Sequence, residues 1–327
     1  MKRILGKSGI ETSALGMGCW AIGGATKSPV TGGSGQWGWG EVDDNESIRT
    51  IQAAVASGIT FFDTSDIYGA GHSEEVLGRG LVGLRHKVQI ATKFGHAFDP
   101  YTRQMLGQDT SPSYIRRACE GSLIRLRTDH IDLYQLHIGE YDPLYLDDIC
   151  DVLDRLVDAG KIGAYGWCTW PDRIEGARVF ANREKCASIQ YRLNVMEDAP
   201  DMLNFCNENN LASICLAPLA MSLLTGKYNS ESKFPEHDVR HGWDLNHGQQ
   251  ANQLKQLEQI REVLTSDGRT VVQGALSWIW ARNDNTIPIP GARTVKQAEE
   301  NAAAMKFGPL NKQQMEQIAQ IKKGWNE

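Results

Sequence analysis

Ile131-Asp-Leu-Tyr-Gln-Leu-His137 is an apolar run that ends on a histidine, and it sets the pattern for the chain. Two earlier runs end in the same way. Gly58-Ile-Thr-Phe-Phe-Asp63 closes on a carboxylate and Val88-Gln-Ile-Ala-Thr-Lys93 on an amine. Tyr68 follows Asp63 by five residues, in Ser65-Asp-Ile-Tyr-Gly69. Runs of this length, rich in Ile, Val, Leu and Phe, read as buried parallel strands. Polar residues at the carboxyl ends of such strands stand where α/β enzymes carry their chemistry.

Working outward, strand-like and helix-like segments alternate along the chain. The strands are expected at 14–18, 61–63, 88–93, 130–137, 164–167, 188–190, 213–217 and 286–289. The helices are expected at 45–56, 74–81, 112–126, 146–159, 172–181, 202–209, 271–281 and 295–304. Ser111-Pro112 is a helix start with the serine as N-cap, and Gly160 is a helix stop. Eight strands alternating strictly with eight helices predict a closed (β/α)8 TIM barrel rather than an open doubly wound sheet. Residues 1–13 predict a small β-hairpin around Gly6-Lys7-Ser8-Gly9, and extra helices are expected at 253–264 and 312–323. Residues 23–40 and 227–248 break the rhythm, as functional loops or as surface insertions. No linker-like stretch divides the chain, so 1–327 reads as one domain.

The net charge of −6 argues against nucleic acid or a membrane surface as partner, since no basic excess exists to neutralise phosphates. Seven cysteines without a Cys-x-x-Cys pair predict no disulfide framework and no zinc site, and favour a reducing, cytoplasmic setting. The start Met-Lys-Arg-Ile-Leu-Gly lacks the apolar region of a signal peptide. No stretch approaches the ~18 apolar residues of a membrane span.

Asp63, Tyr68, Lys93 and His137 together suit carbonyl chemistry. A phenol has a pKa near 10 in water and donates its proton poorly at neutral pH. An ammonium beside it stabilises the phenolate. Lys93 is expected to supply that charge, Asp63 to hold Lys93, and His137 to bond the substrate oxygen. Tyr68 then protonates the oxygen as hydride reaches the carbon, or acts as base in reverse.

Several segments resemble the aldo-keto reductase family: Leu15-Gly-Met-Gly-Cys-Trp20, Gly58 to Gly69, Gly71-His-Ser-Glu-Glu75, Ala91-Thr-Lys93, Arg127 to His137, Leu223-Leu-Thr-Gly-Lys-Tyr228, Ile287-Pro-Ile-Pro-Gly-Ala292 and Glu300-Asn301. The glycine-rich first loop and Gly-Ala-Arg293 resemble the bacterial and plant branch related to potassium-channel β subunits. The resemblance implies an eight-stranded α/β barrel, NADPH as hydride donor and carbonyl reduction. It places Asp63, Tyr68, Lys93 and His137 at the family's catalytic positions. No Gly-x-Gly-x-x-Gly fingerprint follows the first strand, so a dinucleotide is held in another manner than in Rossmann folds.

The resemblance implies that Cys168, Thr169 and Gln190 hold the nicotinamide carboxamide. Leu219, Ala220, Met221 and Lys227 would line the pyrophosphate, and Gly291, Arg293, Gln297, Glu300 and Asn301 the adenosine and its 2′-phosphate. Cys19, Trp20, Asp63, Leu216, Ala217, Pro218 and Arg240 complete the implied cofactor set. A guanidinium matches a phosphate in bidentate fashion, which makes Arg293 the candidate for NADP preference. Thr294 and Gln297 also fit a capping box. The chain departs from the family pattern at three places. Cys168-Thr169 stands for the usual Ser-Asn or Ser-Arg, Leu216 for a stacking aromatic, and Ser222 for a glycine.

Trp20, Trp37, Trp39, Tyr68, Phe94, His96, Phe98, His137 and Trp170 are candidates for the substrate wall, suited to sugars and other ring substrates as well as aromatic aldehydes. The expected function is NADPH-dependent reduction of an aldehyde, ketone or sugar carbonyl. The alternatives are an NADP(H)-binding sensor with little turnover and an NAD(P)-dependent sugar or polyol dehydrogenase. The sequence leaves oligomeric state open, a homo-oligomer included.

Overall fold

The computed structural model of the chain describes residues 1–28 and 35–326. Its main sheet has eight strands, each paired in parallel with the next in the chain. They are Gly16–Gly18, Phe61–Asp63, Gln89–Phe94, Ile131–Leu136, Ile162–Cys168, Cys186–Arg192, Ala212–Leu216 and Thr286–Pro288. The Gly18 amide donates to the Pro290 carbonyl at 3.0 Å, and Gly18 pairs in parallel with Gly291. These contacts bring the chain after the last strand back to the first. The predicted (β/α)8 barrel is the observed architecture.

Strand periodicity divides the core into two layers. Phe61, Ala91, Leu133, Ala164, Ala212, Ile214 and Ile287 fill the lumen. Their neighbours Phe62, Ile90, Tyr134, Tyr165, Trp167 and Ile189 face the helices. The hairpin of Lys2–Ile4 and Glu11–Ser13 carries Leu5 into the lumen cluster, where it is fully buried. A Cβ at Gly6 would collide with the carbonyls of Ala187 and Asn210, so the turn needs a glycine to sit this close to the barrel's amino end.

The helix Pro112–Leu126 starts as the sequence predicts, with the Ser111 hydroxyl accepting the Tyr114 amide at 3.2 Å. The extra helices are Gly248–Thr265 and Lys312–Lys323, which pack together. One element was not expected. Strands Gln36–Trp37, Thr26–Lys27, Gln104–Gln108 and His96–Asp99 form a four-stranded sheet, in that order. It joins the loop after the first barrel strand to the loop after the third. Strands of two to five residues carry too few alternations to register as strands in sequence. Part of the glycine-rich loop at 23–40, residues 29–34, lies outside the described residues. No helix among the described residues is long and apolar enough to cross a membrane.

Candidate active site

Asp63, Lys93, Gln135 and Gln190 project inward one layer above the apolar filling of the lumen. Lys93 is fully buried, and lysine tolerates that only when paired. Its Nζ donates to Asp63 Oδ1 at 2.6 Å and to the Thr64 carbonyl at 2.7 Å. Two amides enclose the carboxylate. Gln190 Nε2 reaches Asp63 Oδ1 at 3.4 Å, and Gln135 Nε2 reaches Oδ2 at 3.4 Å. Gln135 also donates to Gln190 Oε1 at 2.8 Å. The sequence reading missed Gln135. The signal was present: it lies two residues before His137 in the same strand-like run, hence on the same face.

The loop after the second strand brings Tyr68 over this layer. The Lys93 amine stands 5.2 Å from the centroid of the Tyr68 ring. Gly69, Ala70 and Gly71 all have left-handed backbone, with φ of 62°, 55° and 99°. A Cβ at Gly69 would strike the Gly23 carbonyl, so only glycine lets the loop turn here. The Thr26 hydroxyl holds the Ile67 carbonyl at 2.8 Å, and the Ser73 amide donates to the Tyr68 carbonyl at 3.1 Å. The His137 ring lies edge-on to Tyr68 at 5.8 Å, with Nδ1 3.0 Å from Ser65 Oγ. The four residues predicted from strand ends therefore converge.

Burial raises the Tyr68 phenol above its ordinary value. Lys93 pulls it down through its charge and a side-chain hydrogen bond, while the Asp63 charge adds to the rise. The net direction is upward, not the acidified phenol expected from sequence, because desolvation of the phenolate outweighs the ammonium. Burial opposes charge on Lys93, yet Asp63 and Tyr68 raise its pKa, so it stays an ammonium. Burial raises Asp63, and Lys93 opposes that rise. The His137 ring is lowered well below its ordinary value by burial, then by the Lys93 charge and His96, and is neutral. Burial pushes the Cys168 thiol up to about 12.

Trp20, Trp37 and Trp39 gather beside Tyr68. Trp20 lies 5.0 Å from Trp37, 5.4 Å from Trp39 and 6.0 Å from Tyr68, between ring centroids. His96 faces His137 at 5.4 Å, and Trp170 stands half-exposed at the rim against Gly139. Phe94 is a correction. It is fully buried and stacks on Tyr134 at 4.7 Å in the layer facing the helices. Because Lys93 points into the barrel, its strand neighbour must point out.

The aldo/keto reductase family model matches residues 14–323. The chain belongs to this family. Among its relatives, it is 33% identical over 303 residues to the aldo-keto reductase yakc [NADP(+)] of Schizosaccharomyces pombe, spanning 90% of this chain and 84% of that protein. It is 34% identical over 299 residues to the aldo-keto reductase YhdN of Bacillus subtilis, spanning 89% and 85%. Among solved structures, a glycerol dehydrogenase of Gluconobacter oxydans superposes with a TM-score of 0.81 at 30% identity, covering 95% of this chain and 92% of that one. The aldo-keto reductase AKR11C1 of Bacillus halodurans gives 0.78 at 25% identity, covering 98% and 95%.

In this aldo/keto reductase the positions expected to hold cofactor differ in how they are placed. Gln190 is on the inner face, bonded to Asp63 and Gln135. Cys168 also turns inward, where its thiol feels the charges of Lys93 and Asp63. The Thr169 hydroxyl donates to the Gly139 carbonyl at 2.6 Å. Leu216 is half-buried at the mouth and packs on the lumen cluster. After it, Ala217, Ala220, Met221 and Ser222 all adopt left-handed backbone, with φ of 49°, 47°, 53° and 77°. Pro218 is buried within this turn and Leu219 is partly exposed. Ser222, where the family pattern has glycine, thus holds a conformation that favours glycine.

Lys227 is exposed, with its amine 4.9 Å from the Tyr228 ring centroid. Arg240 is buried and occupied by protein. It pairs with Asp238 at 2.6 Å and donates to the Tyr228 hydroxyl at 2.7 Å, while its guanidinium lies 4.4 Å from the Phe234 ring and 4.6 Å from the Trp39 ring. It ties the 227–248 loop to the first loop, where the Val239 amide donates to the Gly38 carbonyl at 2.9 Å. The Arg240 Nη1 also reaches the Met221 carbonyl at 3.4 Å, in the turn implied to line the pyrophosphate. Cys19 is fully buried, its amide donates to the Asp63 carbonyl and its carbonyl accepts from the Ser73 hydroxyl.

Arg293 is exposed and donates to the main-chain carbonyls of Trp39 and Glu41. The Thr294 hydroxyl caps the helix Val295–Ala303 through the Gln297 amide, and Gln297 Oε1 accepts the Arg293 amide at 2.8 Å. Asn301 Nδ2 reaches the Gly291 carbonyl at 3.4 Å, and the Glu300 carbonyl accepts from Gln273. Glu46 Oε1 accepts the Val295 amide at 3.3 Å, an acidic contact absent from the sequence reading. Among the described residues, no group of three His, Cys, Asp or Glu could hold a metal ion.

Proposed function

We propose that the chain is an NADPH-dependent oxidoreductase that reduces an aldehyde, ketone or sugar carbonyl to the alcohol, with Tyr68 as proton donor. One observation carries this reading: a fully buried Lys93 is bonded to Asp63 at 2.6 Å and lies 5.2 Å from the Tyr68 ring centroid. A buried ammonium has no structural need of a phenol beside it, whereas a carbonyl oxygen receiving hydride needs a proton and a nearby positive charge.

The residues present suit a dinucleotide. The left-handed run at Ala217 and Ala220 to Ser222 is backbone strain of the kind functional sites hold, and turns of this type direct N–H groups toward an anion. Leu216 offers an apolar floor in place of a stacking aromatic, and Gln190 a side-chain amide beneath it. Arg293, released from the Trp39 and Glu41 carbonyls, would meet the 2′-phosphate. The bound nicotinamide supplies the hydride. Tyr68 holds its proton at neutral pH and presents it to the substrate oxygen; Lys93 steadies the phenolate left behind. Asp63, gripped by Gln135 and Gln190, keeps Lys93 in place. His137, neutral, orients the carbonyl. The indoles of Trp20, Trp37 and Trp39 wall off water and suit a ring or polyol face.

A second reading is polyol oxidation by the same groups in reverse, supported by the likeness to the glycerol dehydrogenase. We read the chain as one domain without nucleic-acid or membrane partners. Tyr68→Phe tests the assignment: turnover of p-nitrobenzaldehyde falls by at least about 100-fold, while NADPH still quenches protein fluorescence. Retained turnover overturns it.

A further inference from the structure

His137 is neutral in its setting, so one of its two ring nitrogens carries a proton and the other does not. Only a proton on Nε2 lets the ring donate to a substrate oxygen while Nδ1 is engaged behind it. What lies behind it is a short polar chain. Ser65 Oγ is 3.0 Å from His137 Nδ1 and 3.3 Å from Asp66 Oδ1. All of Ser65 and nearly all of Asp66 are buried, so water does not compete for these contacts. A serine hydroxyl has one proton. It goes either to Nδ1 or to Asp66, and the choice decides which nitrogen of the ring is bare.

The surroundings of Asp66 favour the first arrangement. Glu74, fully buried on the helix His72–Gly80, takes Arg125 Nε at 2.7 Å and the Thr92 hydroxyl at 2.5 Å. Arg125 is the cation facing both acids, and its hydrogen bond goes to Glu74. The phenols of Tyr114 and Tyr134 also feel Asp66 and bring no positive charge, while the Ser65 hydroxyl and the Ile67 amide favour the carboxylate and are outweighed by burial. Two buried carboxyl groups against one guanidinium leave one proton to be kept, and Asp66 is the member without the ion pair. Burial and the charge of Glu74 push Asp66 the same way, well above the ordinary carboxylate range. A neutral Asp66 can donate to Ser65, which frees the serine proton for the imidazole.

We propose that the Asp66–Ser65 pair fixes the tautomer of His137: Asp66 donates to Ser65, Ser65 donates to Nδ1, and the ring keeps its proton on Nε2, the nitrogen left for the substrate oxygen. Ser65 and Asp66 are positioning residues that act through His137. The proposal rests on the reading of His137 as the group that meets substrate.

The test is the 15N spectrum of the histidine side chains in the full chain, with NADP+ added, His137 being assigned by its loss in His137→Gln. The expected result is an unprotonated Nδ1 and a protonated Nε2. Ser65→Ala shifts the ring toward the Nδ1-protonated form and lowers kcat at least about tenfold with an unchanged KM for NADPH. Asp66→Asn, which retains an N–H toward Ser65, keeps the wild-type tautomer, whereas Asp66→Leu does not. Wild-type His137 protonated on Nδ1, or a Ser65→Ala variant with wild-type tautomer and kcat, overturns the proposal. If His137→Gln itself retains turnover, the reading of His137 fails. If it loses turnover while the wild-type ring is protonated on Nδ1, the relay alone fails.

Discussion

The lumen of the barrel holds two layers that differ by a step of two residues on the same strands. Phe61, Ala91 and Leu133 belong to the apolar filling, and Asp63, Lys93 and Gln135 follow them on the same inward face. Both layers are buried, yet they answer to different physics. The lower layer gains from leaving water and has no directional demands. The upper layer loses solvation and is tolerated only because every charge has a partner at hydrogen-bond distance, as between Lys93 and Asp63 at 2.6 Å. One layer holds the barrel shut; the other, open to the mouth through Tyr68 and His137, holds the groups proposed to react.

The sharpest way to break this contrast is to hollow the lower layer. Phe61→Ala should cost about 3–5 kcal/mol of stability, read by chemical denaturation, while kcat of the folded protein stays within about threefold, since truncation below the site removes no polar partner. Loss of turnover without loss of stability would erase the division. A smaller effect is expected at the rim. Ser222→Gly relieves a left-handed residue at φ 77° and should stabilise the folded chain by about 1 kcal/mol, visible as a higher denaturation midpoint. The smallest expected effect is none. Tyr68 is raised above a phenol's ordinary value and His137 lowered well below an imidazole's. The tyrosine therefore stays protonated and the histidine neutral as pH rises from about 7 to about 9, between the ordinary values of 6.5 and 10. The kcat for carbonyl reduction should be flat across that window, and a limb inside it would place one of the two pKa values where the burial argument does not.

Much of this arrangement is legible in the sequence. Apolar runs ending on Asp63, Lys93 and His137 gave strands and a mouth, because period two forces the last polar residue onto a defined face. The same rule, applied to neighbours, would have sent Phe94 outward and brought Gln135 inward. Arg240 and Arg293 were harder. A guanidinium suits a phosphate, a carboxylate or a carbonyl equally in sequence. Only the fold shows the Trp39 ring beside the Arg240 guanidinium, and the Trp39 and Glu41 carbonyls beside Arg293. The net pKa of Tyr68 was also beyond reach, since proximity to Lys93 could be argued from strand ends but the depth of burial could not.

The role of the buried amine stands or falls on the turnover of Lys93→Met, measured beside its affinity for NADPH. If the amine serves the proton on Tyr68 and not the grip on the dinucleotide, kcat falls at least about 100-fold while the NADPH Kd changes less than about threefold. A variant that keeps turnover within about tenfold of the parent would show that the buried charge is only a structural partner of Asp63 and takes no part in proton transfer.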